Sequence, residues 1–174
     1  MATIPTAYTW TVGELVTAAK INSYLRDAIS FLLAPPYAAL QRTANQSINN
    51  TATTNVGWDS EVQDTDNAHS TVTNNDRFTG VTAGVYESLT AIPWVGNATG
   101  VRELNFGVNG TITYAGSRLV PGSAVAFVNP AAKLIALSVG DYMNIKVWQS
   151  SGGALNIDQA FASGPTWDIL WKRT

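Results

Sequence analysis

The Pro35-Pro36 pair divides this chain into two parts of different hydrophobic period. No helix runs through it, because proline lacks an amide proton and its ring clashes with the preceding turn. On its N-terminal side, Ala18 to Leu33 contains neither Gly nor Pro, and Thr17 is a natural N-cap. This predicts one helix of about four turns, roughly 24 Å long. On its C-terminal side Thr, Asn, Gly, Ser and Val crowd the sequence, the usage of short strands and turns. The expected organisation is an N-terminal docking arm and helix over 1–36 and a mainly β knob over 37–174.

Stepping about 100° per residue puts Ile21, Tyr24, Leu25, Ala28, Ile29, Phe31 and Leu32 on one face of the helix. Lys20, Ser23, Arg26, Asp27 and Ser30 occupy the other. Ile21, Leu25, Ala28 and Leu32 recur with the spacing of a short bundle seam. A face this wide suits two neighbours, sister helices and a docking surface. The arm before it carries Tyr8 and Trp10 but is too short to build a core, so it needs a surface to lie on.

In the second part, strands are expected at Ala39 to Thr43, Thr53 to Trp58, His69 to Thr73, Gly84 to Trp94, Arg102 to Val108, Thr111 to Tyr114, Ala124 to Val128, Tyr142 to Gln149 and Thr166 to Lys172. Asn109-Gly110 is a strong hairpin turn, with Leu104, Phe106 and Val108 on one inward face and Ile112 and Tyr114 on the return strand. Met143, Ile145 and Val147 make another inward face, as do Trp167, Ile169 and Trp171. The pattern is that of a β-sandwich or closed jelly roll.

Composition excludes several classes. A net charge of −2 offers no basic field for nucleic acid. Without cysteine there are no disulfides, thiol nucleophiles or thiolate metal sites. The opening residues lack a signal-peptide pattern, and no apolar run is long enough to span a bilayer. The Asn-x-Ser/Thr triplets at Asn45, Asn49, Asn97 and Asn109 then read as polar turns rather than glycan acceptors.

The search for chemistry yields little. His69 is the only histidine and no nucleophile motif accompanies it, so no catalytic residue is assigned. Gly152-Gly153 lacks the Lys-Ser/Thr ending of a phosphate loop, and no cofactor is expected. Asp59, Glu61, Asp64 and Asp66 alternate like oxygen ligands but lack the Gly and closing Glu of a calcium loop, so they read as a solvated loop and no metal is assigned. Of the six tryptophans, Trp58, Trp94, Trp148, Trp167 and Trp171 fall on strand-like segments and read as core or interface packing. Trp94 or Trp148 stacking on a host sugar is the alternative.

Three segments of the knob resemble the complement and tumour-necrosis-factor-like jelly-roll superfamily. They are Arg77-Phe78 followed by Thr82-Ala83-Gly84-Val85-Tyr86, the Leu134 to Met143 segment containing Gly140-Asp141, and the final aromatic strand Trp167 to Trp171. The resemblance implies a jelly-roll sandwich of ten or so strands and a homotrimer, with Tyr86, Met143, Ile145, Trp167 and Trp171 as trimer or core packing residues. Trp-Asp-Ile-Leu-Trp stands where the family has a terminal phenylalanine motif.

A second resemblance lies in the arm. Trp10-Thr-Val-Gly13-Glu14-Leu-Val-Thr17-Ala18-Ala19-Lys-Ile21-Asn22 is similar to an opening found in tailed-bacteriophage virion proteins of minor-tail or fibre type. It implies a particle-docking role for Tyr8, Trp10, Gly13 and Glu14, with Ile21, Leu25, Ala28 and Leu32 in helix bundling or docking. Together the two resemblances imply a non-enzymatic, homotrimeric virion protein of decoration or minor-tail type. It would be made in the host cytoplasm, incorporated into the virion, and held to capsid or tail proteins without membrane insertion. The alternative is a receptor- or glycan-binding fibre tip using the loops at Asn74-Asn75, Gly96-Asn97 and Ser150 to Gly153.

Overall fold

A computed structural model describes residues 3–174. Its helical segment begins as Ala18–Ile21, capped by the Thr17 hydroxyl, which accepts from the Lys20 amide at 3.3 Å. It widens to a π turn over Asn22–Arg26 and closes as Asp27–Leu33. Twelve strands follow: β1 (Tyr37–Gln41), β2 (Gln46–Ile48), β3 (Thr54–Asn55), β4 (Ser60–Asp64), β5 (Phe78–Thr79), β6 (Gly84–Trp94), β7 (Arg102–Val108), β8 (Thr111–Leu119), β9 (Phe127–Leu137), β10 (Tyr142–Gln149), β11 (Leu155–Ile157) and β12 (Thr166–Arg173). The protein is mainly β, with a jelly-roll sandwich after the helix, as the alternating patterns predict.

Seven strands form one sheet in the order β2-β11-β6-β12-β1-β4, with β9 along the other edge of β6. The second sheet runs β3-β10-β7-β8, and β5 also pairs with β10. All pairings are antiparallel. Between the sheets lie Leu40, Trp58, Tyr86, Ile92, Trp94, Trp167 and Ile169, facing Leu104, Phe106, Met143, Ile145 and Val147, all essentially without exposure. With no disulfide, this packing is the main stabilising term.

The structure departs from the sequence pattern in a few places, each with a local cause. Ile112 is exposed rather than inward, because β7 and β8 shift register at Leu104/Asn105 and at Phe106/Gly107. His69 to Thr73 is a loop, in which the Ser70 hydroxyl accepts from the amides of Val72 and Thr73 and so replaces a strand ladder. β9 continues through Pro130, which is tolerated because β9 pairs only with β6 and its other edge needs no donor.

Candidate docking site

The arm folds back along the helix rather than extending away from it. Thr11 to Glu14 make a turn closed by the Glu14 amide donating to the Thr11 carbonyl at 3.1 Å, and Gly13 supplies the φ of +80° that this turn needs. The turn aims the Glu14 carboxylate back at the arm. One of its oxygens accepts from the Tyr8 hydroxyl and the Lys20 ammonium, and the other from the Thr11 amide and hydroxyl at 3.1 and 3.2 Å. Lys20 first, then Tyr8 and the Thr11 amide, lower the Glu14 carboxyl to about 2. The same contact with Glu14 raises the Tyr8 phenol and the Lys20 ammonium.

Tyr8 stacks on Tyr24 with centroids 4.2 Å apart, and Trp10 meets both rings edge-on. Further along, Ile4 and Pro5 share a hollow with Ala28, Phe31, Leu32 and Trp171. Phe31 is the only buried helical residue among the described residues. It packs on Trp171, whose indole N–H donates to the Ala83 carbonyl at 3.0 Å. At Gly84 an added Cβ would lie 2.2 Å from the Trp171 indole nitrogen, so a bare backbone there is what lets the ring lie flat.

The broad helical face is therefore divided. Tyr24, Ala28 and Phe31 turn to the arm and the knob, whereas Ile21, Leu25, Ile29, Leu32 and Leu33 are exposed. Ala28 thus lies on the inner edge of the apolar arc with Tyr24 and Phe31, and not on the exposed edge with Ile21 and Leu25. The residues of the sequence motif divide the local work among them. Trp10 covers the Tyr8-Tyr24 pair, Gly13 turns the chain, Glu14 gathers the donors, Thr17 caps the helix and Asn22 opens the π turn.

The other singled-out residues sit elsewhere. Tyr86, Met143, Ile145 and Trp167 are buried between the sheets of one chain, and Trp171 is half-buried at the helix junction. Trp94 is fully buried, so it cannot stack on a sugar in this fold; Trp148 is half-buried. The loops at 96–101 and 150–153 meet through paired contacts between Val101 and Ser150. Asn75 lies elsewhere, beside Gly57 and with its carbonyl accepting from the Trp58 amide.

The acidic residues do not converge. Asp59 accepts from Thr43, Glu61 faces His69 Nδ1 at 2.7 Å, Asp64 accepts the amides of Asp66 and His69, and Asp66 accepts from Thr82. No group of three potential metal ligands occurs among the described residues. No helix among them is long and apolar enough to cross a membrane.

Arg102, which sequence patterning did not single out, is fully buried with no carboxylate partner among the described residues. It donates to the carbonyls of Asn97, Thr99 and Val101 and lies 5.7 Å from the Trp94 ring centroid. It staples the 97–101 loop. A charged residue at an inward strand position beside a turn is the only signal that could have found it.

No protein-family model matches the chain, and no curated protein matches it. Among solved structures, the globular domain of zebrafish complement 1qA superposes with a TM-score of 0.56 at 13% identity, over 80% of this chain and 99% of that one. Murine APRIL superposes with a TM-score of 0.57 at 14% identity, over 79% and 98% of the two chains. At such identities the likeness is one of fold, and the knob that carries this arm is a jelly roll of the complement and tumour-necrosis-factor type.

Proposed function

We propose that the chain is a non-enzymatic virion protein of a tailed bacteriophage, a homotrimeric accessory of decoration or minor-tail type held to the particle by its N-terminal arm and helix. The observation that carries this reading is a surplus of apolar surface outside a core that closes without it. Trp10, Val12, Leu15, Val16, Ile21, Leu25 and Leu32 are all exposed, on the segment that bears the virion-like motif. Surfaces of this kind mark interaction sites.

Self-association is supported by the outward face of the seven-stranded sheet. Leu89 and Leu134 are exposed there, with Ala132 opposite Leu89 and the Ala91–Pro130 pair next along β6 and β9. Leu33 of the helix reaches the same face beside Leu89 and Leu170, so helix stripe and sheet patch form one continuous surface. Light scattering of a chain lacking 1–36 is expected to give a soluble trimer, and that trimer should no longer join particles. A truncated chain that still assembles overturns the docking role.

A receptor-binding tip is the second reading, favoured by the clustering of the 49–52, 96–101 and 150–153 loops at one end of the sandwich. Copy number separates the two. A decoration protein is present in many copies per particle and a fibre tip in few.

A further inference from the structure

On the outward face of the second sheet, Lys146 of β10 stands directly opposite Asn55 of β3. Lys146 is 9% exposed, although it projects from the face turned away from the sandwich core, and its ammonium takes part in no ion pair among the described residues. Its Nζ lies 2.8 Å from Asn55 Oδ1. The other end of the same amide, Nδ2, donates to Asp76 Oδ2 at 2.5 Å. Amine, carboxamide and carboxylate are thus joined in one line, with the amide held at both ends.

The surroundings hold the lysine in place. Gly107, opposite Asn144 on β7, has no side chain, and an added Cβ there would lie 2.2 Å from Asn144 Oδ1 and 2.8 Å from Lys146 Cε. Asn144 is buried and its Oδ1 has no hydrogen-bond partner among the described residues. Asp76 is held from the far side by Arg77, whose Nε is 3.6 Å from Oδ1. Asn55 and Asp76 also line an open groove with Thr53, Thr54 and Asn75, so a small leaving molecule has a path out.

We propose that Lys146 and Asn55 form an intramolecular amide cross-link, with Asp76 as the proton-transferring group. Lysine amines act as nucleophiles toward carbonyl carbon, and the hydrogen bond that holds the amine on the Asn55 carboxamide lowers the entropic barrier to their meeting. Lys146 gives up its ammonium proton to water in the groove, and Nζ attacks Asn55 Cγ. The proton that the attacking nitrogen sheds reaches Asp76 through water in the open groove, and Asp76, already against Nδ2, delivers it there as the Cγ–Nδ2 bond breaks and ammonia leaves. Amine plus carboxamide gives secondary amide plus ammonia, with no oxidant, reductant or cofactor, and Asp76 ends as it began. The bond would close a 91-residue span of chain, fixing the two-residue strand β3 to the long strand β10 in a protein that has no disulfide.

The test is the intact mass of the purified full chain under denaturing conditions. The proposal expects a mass lower than that of the sequence by one ammonia, and a digest containing a branched peptide that joins Lys146 to Asn55. Lys146→Met and Asn55→Ala should each restore the full mass, and Asp76→Asn should abolish or greatly slow the loss. A wild-type chain at its full sequence mass overturns the proposal, leaving a hydrogen-bonded network only. Loss of ammonia without the branched peptide, as from a succinimide at Asn109-Gly110, overturns it equally, as does a branch to Asn144. The wild-type measurement decides even where a variant fails to fold.

Discussion

Phe31 meets Trp171 edge to face, with ring centroids 4.8 Å apart and planes at 87°. The Trp171 amide also donates to the Pro36 carbonyl at 2.9 Å, so the last strand grips both the end of the helix and the residue that follows the break. Local sequence ends the helix at the proline pair. A contact between positions far apart in the chain decides where it lies.

Replacing Phe31 with Ala should therefore free the helix without unfolding the knob. The aromatic pair alone contributes about 0.5–1.5 kcal/mol beyond area burial. Limited proteolysis should cut faster between residues 33 and 37, while the melting temperature of the knob falls far less than in Trp167→Ala, where a buried aromatic truncation costs about 3–5 kcal/mol. Equal losses in the two variants would show that helix and knob unfold as one unit.

The arm should loosen in acid. Glu14 titrates at about 2 in the folded arm, against about 4.3 for a free glutamate. Its folded value is the depressed one, so its stabilisation is fully present above the free value and is lost as pH falls through the folded one. Tyr8 contacts followed by NMR should weaken as pH falls from about 4 toward about 2, the interval set by those values. In Glu14→Gln the arm should already be loose at neutral pH and show no such transition.

Arg102 is expected to be one of the more sensitive positions in the knob. Arg102→Met fills the same space but leaves the carbonyls of Asn97, Thr99 and Val101 without their shared donor. A loss of about 3 kcal/mol is expected, in line with hydrogen bonds from a charged group. Chemical denaturation measures it. A loss below about 1 kcal/mol, that of a single neutral hydrogen bond, would mean that water replaces the guanidinium at little cost.

The long strands were legible because alternation persists for many residues. Gly84–Trp94, Arg102–Val108 and Tyr142–Gln149 have the limits that period and turn residues predict. Strands β2, β3, β5 and β11 have two or three residues each, too few to express a period, and exist because long neighbours offer them an edge. The strand expected over Ala124 to Val128 runs instead from Phe127 to Leu137, through Pro130, since only tertiary pairing shows which edge of a strand is unneeded. In the arm and helix, Thr17 was readable as an N-cap and Gly13 and Glu14 entered through the resemblance alone, whereas the division of the helix face was not readable, because the long-range Phe31–Trp171 contact sets which edge of the arc meets the knob. Lys146, Asn55 and Asp76 were invisible for the same kind of reason, since strand register brings Lys146 to Asn55 and a loop brings Asp76 to Asn55.

His69 holds the loop that delivers Asp76. Its Nδ1 faces Glu61 at 2.7 Å and its Nε2 faces the Asn75 carbonyl at 3.1 Å, while that carbonyl also accepts from the Trp58 amide at 2.8 Å. The ring is buried, so His69→Leu keeps most of the volume and removes both contacts. Losing the ring's two contacts should cost about 1–3 kcal/mol. The loss should concentrate in the 65–77 loop, seen as faster hydrogen exchange at Trp58 and earlier cleavage after Arg77, with the sheet amides of β6 and β10 little changed. Because Asp76 rides on that loop, the variant should also form the Lys146–Asn55 bond more slowly. Uniform destabilisation across both sheets would instead make His69 an ordinary core residue.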